Sequence, residues 1–399
     1  MQSGWRVGSI LGIPLYLDRS WFIILLLVTF VYGSNPVWQT QWGMLSWGIG
    51  LVTALLLFGS VLLHELGHSI VAKAQGIQVN SITLFLFGGI AAIDQESKTP
   101  GQAFQVAIAG PAVSFSLYIV LTLLITFAPV PLVVVALLGN IAQINLVLTL
   151  FNLIPGLPLD GGQVLKAAVW KVTKSRIKGV RWAARMGLIL GWTAVGVGVI
   201  AYLAQPSLDL IWIVLLGGFA IRNASNYGRI ADLQETLSEL TAADAIARDF
   251  RVLDATMTLR QFADEYLLQT TRAPMYFAAS DGRYRGLVTI EDVRQIERSE
   301  WDSRTLQSIA RPLDAIPSVR ETTPMAEVIN CLEKSELSRI VVLTPADAVA
   351  GVIDRGEIVQ AIAQKMNLAI SDVVIQRIKD EGEYPAGLKL PALAKSLLE

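Results

Sequence analysis

The chain of 399 residues is 53% hydrophobic and only 16% charged, and its mean hydropathy is +0.51. Soluble globular proteins carry about 25% charged residues, so this composition indicates a membrane protein. The first 230 residues have a net charge of +7 and the remainder −8, which predicts at least two domains and no nucleic-acid binding. The single cysteine, Cys331, excludes an intrachain disulfide and a cysteine-based zinc site.

Six apolar runs in the first part of the chain predict membrane-spanning helices, each of which needs roughly 20 residues. They are residues 20–38, 44–74, 103–128, 130–154, 186–204 and 208–221. Lysine and arginine are concentrated in a predicted loop at 165–185 and absent from 33–43. Because basic loops stay on the cytoplasmic side, we expect six spans with both termini in the cytoplasm. The expected membrane is the plasma membrane of a bacterium.

The second run contains the only two histidines of the chain, in the sequence His64-Glu65-Leu-Gly-His68. On a helix, positions i and i+4 share a face, so both imidazoles can bind one metal ion. Glu65 is placed to take a proton from water activated by zinc. Ionisable residues inside an apolar helix are costly and mark functional sites, which favours a metal site over histidines that only satisfy backbone carbonyls. The helix starts outside and covers roughly 30 Å before His64, so the metal should lie near the cytoplasmic side.

Residues 79–93 are rich in β-formers and too short to span as a helix, so they predict a strand or hairpin at the cytoplasmic face. A helical substrate must unwind before water can attack its peptide groups. An exposed strand edge near the zinc could hold the unwound segment by strand addition. Gly88 and Gly89 would let the two backbones approach closely. The alternative is a hairpin that only packs against the helices.

The fourth run ends in residues 152–162, which read NLIPGLPLDGG. The two prolines break the helix and the glycines allow a tight turn, so this stretch can present Asp160 to the metal. Two histidines, one carboxylate and a water form an open catalytic zinc site. The alternative role for Asp160 is the N-cap of the basic segment that follows, and the carboxylate could serve in both ways.

The H-E-x-x-H motif in one span and the N-L-I-P…L-D-G sequence after a later one resemble the site-2 protease family of intramembrane metalloproteases. The resemblance covers most of residues 1–230 and implies an α-helical polytopic membrane fold. It implies that His64, His68 and Asp160 bind one Zn²⁺ and that Glu65 is the general base. The substrate would be a single-span membrane protein in the lipid bilayer, such as an anti-sigma factor or a tethered transcription factor.

Two further positions match this family. Asn152 would hold the substrate or stabilise the oxyanion, with an interhelical hydrogen bond as the alternative. The pair Gly110-Pro111 in the third span also matches, and we interpret it as a packing feature.

Beyond about residue 240, two segments are alike: GRYRGLVTIEDV at 282–293 and AVAGVIDRGEIV at 348–359. Each reads as a turn, a strand and a helix start, which indicates a tandem repeat. They resemble a pair of α/β CBS domains, in which Thr289 and Asp292 would bind the phosphate and ribose of an adenine nucleotide. The second copy has Asp354 and Glu357 at these positions. A carboxylate repels phosphate, so that cleft is either empty or selects another ligand.

The predicted organisation is a transmembrane zinc metalloprotease domain (1–230), a linker (231–240), two CBS domains (241–300 and 301–366) and a C-terminal tail (367–399). Nucleotide binding would make activity follow cellular energy charge. A dimerisation module without a ligand, which would form a homodimer, is the alternative for the CBS pair.

The main rival to a protease is a CBS-gated membrane metal-binding protein or transporter. A transporter would be expected to have internal repeats among its spans, and none is evident. It also has no need for Glu65 between two histidines. A family member that binds clients without cutting them is a second rival, although every catalytic residue type is present.

Overall fold

The computed structural model describes residues 4–86, 88–93, 97–129, 131–267, 275–335, 337–385 and 387–398. The chain divides into two compact units, Met1–Ala231 and Asp232–Glu399. The helices of the first unit, in chain order, are α1 (Trp21–Gly33), α2 (Pro36–Trp42), α3 (Leu45–Ala74), α4 (Pro100–Phe127), α5 (Leu132–Asn152), α6 (Asp160–Thr173), α7 (Arg176–Ala204) and α8 (Leu208–Glu239), the last of which continues into the second unit.

Four of these helices, α3, α4, α5 and α7, are long and apolar enough to cross a membrane. Many of their leucine, valine, isoleucine and phenylalanine side chains are exposed in the isolated chain. A helix bonds its own backbone groups internally, so it can lie in a bilayer with such side chains covered by lipid. The predicted helical membrane domain is therefore confirmed.

The predicted first span is not one straight helix, because α1 and α2 meet at an angle of 67°. Ser34 is the C-cap of the first helix, and Asn35 caps the second, where its side chain accepts a hydrogen bond from the Val37 N–H at 3.0 Å. Pro36 follows at the first helical position, which it favours. The predicted sixth span forms the first part of α8, and among the described residues α8 is not one of the helices that are both long and apolar enough to cross a membrane. The number of spans stays a prediction.

Two segments predicted as connections are helical. The basic segment 165–185 belongs to α6 and to the first turns of α7, with a break at Lys174, whose φ is 57°. Ser175 then caps α7. The predicted linker 231–240 lies almost wholly within α8, since it contains no glycine or proline and Leu237 is fully buried.

A four-stranded sheet completes the first unit. Its strands, in sheet order, are β1 (Trp5–Ile10), β2 (Ile13–Leu17), β3 (Val79–Phe85) and β4 (Gly88–Ile93). The two hairpins are antiparallel and β2 pairs with β3 in parallel. The hairpin predicted at 79–93 is present, whereas the N-terminal hairpin was not predicted. Strand β4 forms one edge of the sheet.

The second unit contains two three-stranded sheets, in the orders β5-β6-β7 and β10-β9-β8. Their strands are β5 (Phe250–Asp254), β6 (Met275–Ser280), β7 (Arg283–Val288), β8 (Ser318–Arg320), β9 (Arg339–Leu343) and β10 (Val349–Asp354). The helices are α9 (Leu259–Phe262), α10 (Ile290–Arg294), α11 (Leu306–Ile309), α12 (Met325–Lys334), α13 (Arg355–Lys365), α14 (Asp372–Glu381) and α15 (Leu390–Leu398).

The two halves of this unit have the same topology, because in each sheet a parallel pair of strands is followed by an antiparallel third strand. Each half also forms backbone hydrogen bonds with the segment that leads into the other half. Arg311 exchanges two backbone hydrogen bonds of 2.8 Å with Leu287, and Ala247 exchanges bonds of 2.9 and 3.0 Å with Val352. The tandem repeat seen in the sequence is therefore a structural repeat.

The C-terminal segment predicted as a tail contributes to the core of the second half. Helices α14 and α15 bury Ile375, Ile378, Leu390 and Ala394 in the same apolar cluster as α12 and α13. The segment looks polar as a whole because its apolar residues are spaced to cover only one face of each short helix.

Candidate metal centre

Three potential ligands from two helices converge in the first unit. His64 and His68 lie on one face of α3 and are only 4% and 8% exposed. Asp160 is the first residue of α6, and its Oδ2 lies 3.0 Å from His64 Nε2 and 3.3 Å from His68 Nε2. The two Nε2 atoms are 3.3 Å apart. One oxygen and two nitrogens thus form a nearly equilateral triangle.

This triangle fits zinc. Ligands bound at about 2.0–2.1 Å to a tetrahedral zinc ion lie about 3.3–3.4 Å from one another, close to the three separations in the structure. The donor set of two imidazoles and one carboxylate is also that of open catalytic zinc sites. Among the described residues this is the group of histidine and acidic side chains that could hold a metal ion.

Helix α4 determines how the imidazoles face the site. His68 Nδ1 lies 2.6 Å from the carbonyl oxygen of Val106, and His64 Nδ1 lies 3.0 Å from the hydroxyl of Ser114. A carbonyl can only accept, so the Nδ1 of His68 carries the proton and its Nε2 presents a lone pair to the site.

Gly110 lies on the same face of α4, between these two contacts. A Cβ added there would lie 2.7 Å from His64 Nε2 and would overlap His68 Nε2. The interpretation of Gly110-Pro111 as a packing feature is therefore incomplete, because Gly110 makes room for the ligand atoms themselves. The signal that could have revealed it is the spacing of four residues from Gly110 to Ser114, which matches that of the two histidines.

Asp160 reaches the site through a crowded turn. A Cβ added at Gly161 would lie 2.5 Å from the Ile154 carbonyl oxygen, and one at Gly162 would overlap the backbone of Gly156. Only glycine lets α6 begin this close to the preceding turn. The N-cap residue of α6 is Leu159, so the alternative role of Asp160 as N-cap is wrong.

Glu65 faces the edge strand of the sheet. The backbone N–H of Ala91 in β4 is directed toward its carboxylate. A Cβ added at Gly89 would lie 3.1 Å from Glu65 Oε1, so that glycine leaves room for the carboxylate. Gly88 has a φ of +134°, a conformation that other residues rarely adopt. The structure thus brings both predicted glycines to the strand beside Glu65.

Asn152 is half-buried at the C-terminal end of α5, and its role stays a prediction. Another asparagine of α5 makes an interhelical hydrogen bond of the kind considered for Asn152. Fully buried Asn145, two turns earlier, donates to Ser60 of α3 at 2.9 Å.

Comparison with known proteins agrees with this geometry. Residues 52–131 and 129–194 match peptidase family M50, and residues 308–364 match the CBS domain. "Putative zinc metalloprotease sll0528" of Synechocystis is 41% identical over 364 residues, which cover 91% of this chain and 96% of that protein. The chain belongs to peptidase family M50. It is a membrane zinc metalloprotease of the site-2 protease type.

Two further proteins are similar to this M50 peptidase. "Putative zinc metalloprotease Rip3" of Mycobacterium tuberculosis is 29% identical over 373 residues, covering 91% of this chain and 93% of that one. The solved site-2 protease from Methanocaldococcus jannaschii is 30% identical and matches with a TM-score of 0.42, covering 56% of this chain and 95% of that one.

In the CBS region of this M50 peptidase, Thr289 and Asp292 bind each other. The Thr289 hydroxyl donates to Asp292 Oδ2 at 2.6 Å, and Arg311 Nε donates to Asp292 Oδ1 at 3.0 Å. Burial raises the pKa of the Asp292 carboxyl, but the hydrogen bonds from Thr289 and Arg311 outweigh burial and hold the pKa below its ordinary value.

In the second copy, the residue that corresponds to Asp292 is Glu357, and it is paired with a lysine instead of an arginine. Asp354 caps α13 by accepting from the Glu357 N–H at 3.0 Å. The Glu357 carboxylate forms an ion pair with Lys379 of α14, and both side chains are less than one-fifth exposed. The stem of Lys379 lies against Gly356, where a Cβ would overlap it.

Proposed function

We propose that this M50 peptidase hydrolyses a peptide bond in or beside the transmembrane segment of a single-span membrane protein. The observation that carries the proposal is the position of the ligand triangle, because two of its three ligands, His64 and His68, are buried on an apolar helix long enough to span a membrane. When bound by His64, His68 and Asp160, zinc would supply Lewis-acid activation of water and of the substrate carbonyl.

Glu65 is the proposed general base. It follows His64 directly, and its carboxylate lies beside Gly89 and faces the N–H of Ala91 in β4. From there Glu65 takes the proton of the attacking water and returns it to the leaving amine, as a general base and acid does in turn. Asn152 is proposed to bind the substrate or its developing oxyanion.

Full-length wild type and Glu65→Gln should be compared on a single-span substrate, with the zinc content of each measured. We expect both proteins to hold one zinc per chain and only the wild type to cut. A Glu65→Gln protein that cuts at the wild-type rate would refute the role of Glu65. A wild type that binds no metal would refute the zinc site.

We propose that the unwound substrate pairs with the free edge of β4. Ala91 directs its N–H out of the sheet toward Glu65, and in an antiparallel strand the N–H and C=O of alternate residues point to the same side. Gly89 therefore offers its backbone groups along the same edge. A substrate strand added there would lie against the carboxylate that acts on it.

Disulfide capture tests this position. In a Cys331→Ser, Glu65→Gln background, we place cysteine at Ile90, which is 56% exposed on β4, and a second cysteine beside the cleavage site of the substrate. The matched control is Val7→Cys, 52% exposed on the opposite edge strand. We expect a cross-link from position 90 only. Equal yields from both positions would refute the pairing with β4.

We further propose that one adenine nucleotide binds per chain, at Thr289 and Asp292 of the first CBS half. Arg311 beside them is about half exposed, so its guanidinium can meet a phosphate. In the second half the equivalent carboxylate is neutralised by Lys379 of the protein itself. Binding would couple peptidase activity to cellular energy charge.

Calorimetric titration of ATP, ADP and AMP into the full-length protein tests this proposal. Thr289→Ala should weaken binding at least about tenfold, since charge-assisted contacts to phosphate are strong. Thr258→Ala is the control, because Thr258 forms the same capping box on α9. The absence of binding, or equal loss in both variants, would contradict the proposal.

The remaining proposals concern placement. Both termini are proposed to lie in the cytoplasm of a bacterium, with the peptidase in the plasma membrane, since the basic residues of α6 and α7 favour the inner side. A homodimer through the CBS halves is also proposed. Protease protection of terminal tags in oriented vesicles tests the topology.

A further inference from the structure

The two ligand imidazoles are held by one face of α4. Val106, Gly110 and Ser114 follow one another at intervals of four residues and therefore share a side of the helix. Opposite them, His68 meets Val106 and His64 meets Ser114. The spacing of the contacts on α4 is thus twice that of the histidines on α3, with Gly110 at the centre where the two Nε2 atoms converge.

The contacts behind the two histidines differ in kind. His68 is held by a backbone carbonyl, which is present whatever the side chain of residue 106. His64 is held by a hydroxyl, which depends on residue 114 being serine or threonine. Ser114 is fully buried, and its contact to His64 Nδ1 is the hydrogen bond that its side chain makes in the structure.

We propose that Ser114 is a positioning residue for the zinc ligand His64. His64 can offer its Nε2 lone pair to zinc only when Nδ1 carries the proton, and the Ser114 oxygen accepts that proton's hydrogen bond at 3.0 Å. Partners behind metal-bound imidazoles fix the tautomer and the ring orientation. This inference rests on the proposed zinc site and adds a residue that the sequence motifs do not contain.

The perturbation is Ser114→Ala in the full-length protein, with Ser114→Thr as the variant that keeps the hydroxyl. Ser116→Ala is the matched control, because Ser116 lies on the same helix but is exposed and donates to the Ala112 carbonyl at 2.8 Å. Zinc affinity is measured by competition with a chelator of known affinity. We expect Ser114→Ala to bind zinc about 10–100-fold more weakly, and the other two variants to bind like wild type.

A second readout does not depend on affinity or activity. Because the chain has two histidines, ¹⁵N-histidine labelling of the zinc-loaded protein gives two imidazole Nδ1–H signals. Ser114→Ala should move one of them, since the His64 proton loses its acceptor, and leave the signal of His68 in place. Ser116→Ala should move neither.

The outcomes separate the two proposals. If wild type binds no zinc, the zinc site fails and the role of Ser114 fails with it. If wild type and Ser114→Ala bind zinc equally and their spectra coincide, the role of Ser114 alone is refuted. It is also refuted if Ser114→Thr is as weak as Ser114→Ala, because the hydroxyl is then not the cause.

Discussion

A single methyl group at Gly110 should disable the metal centre. In Gly110→Ala the new Cβ would lie 2.7 Å from His64 Nε2 and would overlap His68 Nε2. Ordinary van der Waals separation is about 3.5 Å, so the imidazoles or the helix must retreat by roughly 0.8 Å or more. The histidines cannot move away freely, because Ser114 and the Val106 carbonyl hold their other nitrogens.

A displacement of this size is large for a metal ligand, whose bond lengths vary by only about 0.2 Å. A misplacement of about 1 Å can lower a catalytic rate 100-fold, so we expect Gly110→Ala to lose at least that much activity. Overpacking would also cost about 1–3 kcal/mol of stability. Mass spectrometry measures the zinc content, and cleavage of a single-span substrate measures the activity, so loss of metal and loss of catalysis are measured separately.

Gly101→Ala is the control on the same helix, since a Cβ there meets nothing within 4 Å. Alanine is also the better helix former, by about 1 kcal/mol, so this control should be at least as stable as wild type. If Gly110→Ala keeps full zinc and full activity, the close approach of α4 to the imidazoles is not needed for the centre, and our reasoning is refuted.

Two further outcomes are expected. Removing zinc with 1,10-phenanthroline should stop cleavage and added zinc should restore it, whereas the non-chelating 1,7-isomer should have no effect; inhibition by both isomers would contradict a metal mechanism. Ile378→Ala, at a side chain that is 4% exposed, should destabilise the second CBS half by about 2–5 kcal/mol and speed amide exchange in α12 and α13. The control is Val374→Ala on the same helix, which is 40% exposed and should change stability by less than about 0.5 kcal/mol. Equal loss of stability in the two variants would refute the burial of α14 in the core.

The predicted ligands depended on local rules that the fold could not easily override. His64 and His68 are separated by one turn of helix, and the long apolar sequence around them strongly favours a helix. Asp160 was found because prolines and glycines mark an irregular stretch at a fixed distance from a span. The family resemblance then supplied the pairing of the two motifs, which no local rule gives.

The features that were not predicted from the sequence depend on contacts between distant segments. Ser114 looks like an ordinary small residue of an apolar helix, and the role of Gly110 beside the ligand atoms is not evident, until α4 is seen against α3. The N-terminal hairpin was missed because its strands are short and because β2 joins the rest of the sheet only by pairing with β3, more than 60 residues later. The C-terminal helices were underestimated because a short amphipathic helix shows its apolar face only when the surface that it covers is known.

The two CBS halves resemble each other in backbone but differ in what neutralises their acidic residues. Asp292 is paired with Arg311, which lies between the halves and is about half exposed, so a phosphate can compete for its guanidinium. Glu357 is paired with Lys379, whose helix is anchored by buried Ile375 and Ile378. Releasing Lys379 would therefore require α14 to leave the core, whereas releasing Arg311 requires only a side-chain movement. This difference in cost is why a ligand is expected at the first half and not at the second, although the sequence departs from the pattern there by only two acidic residues.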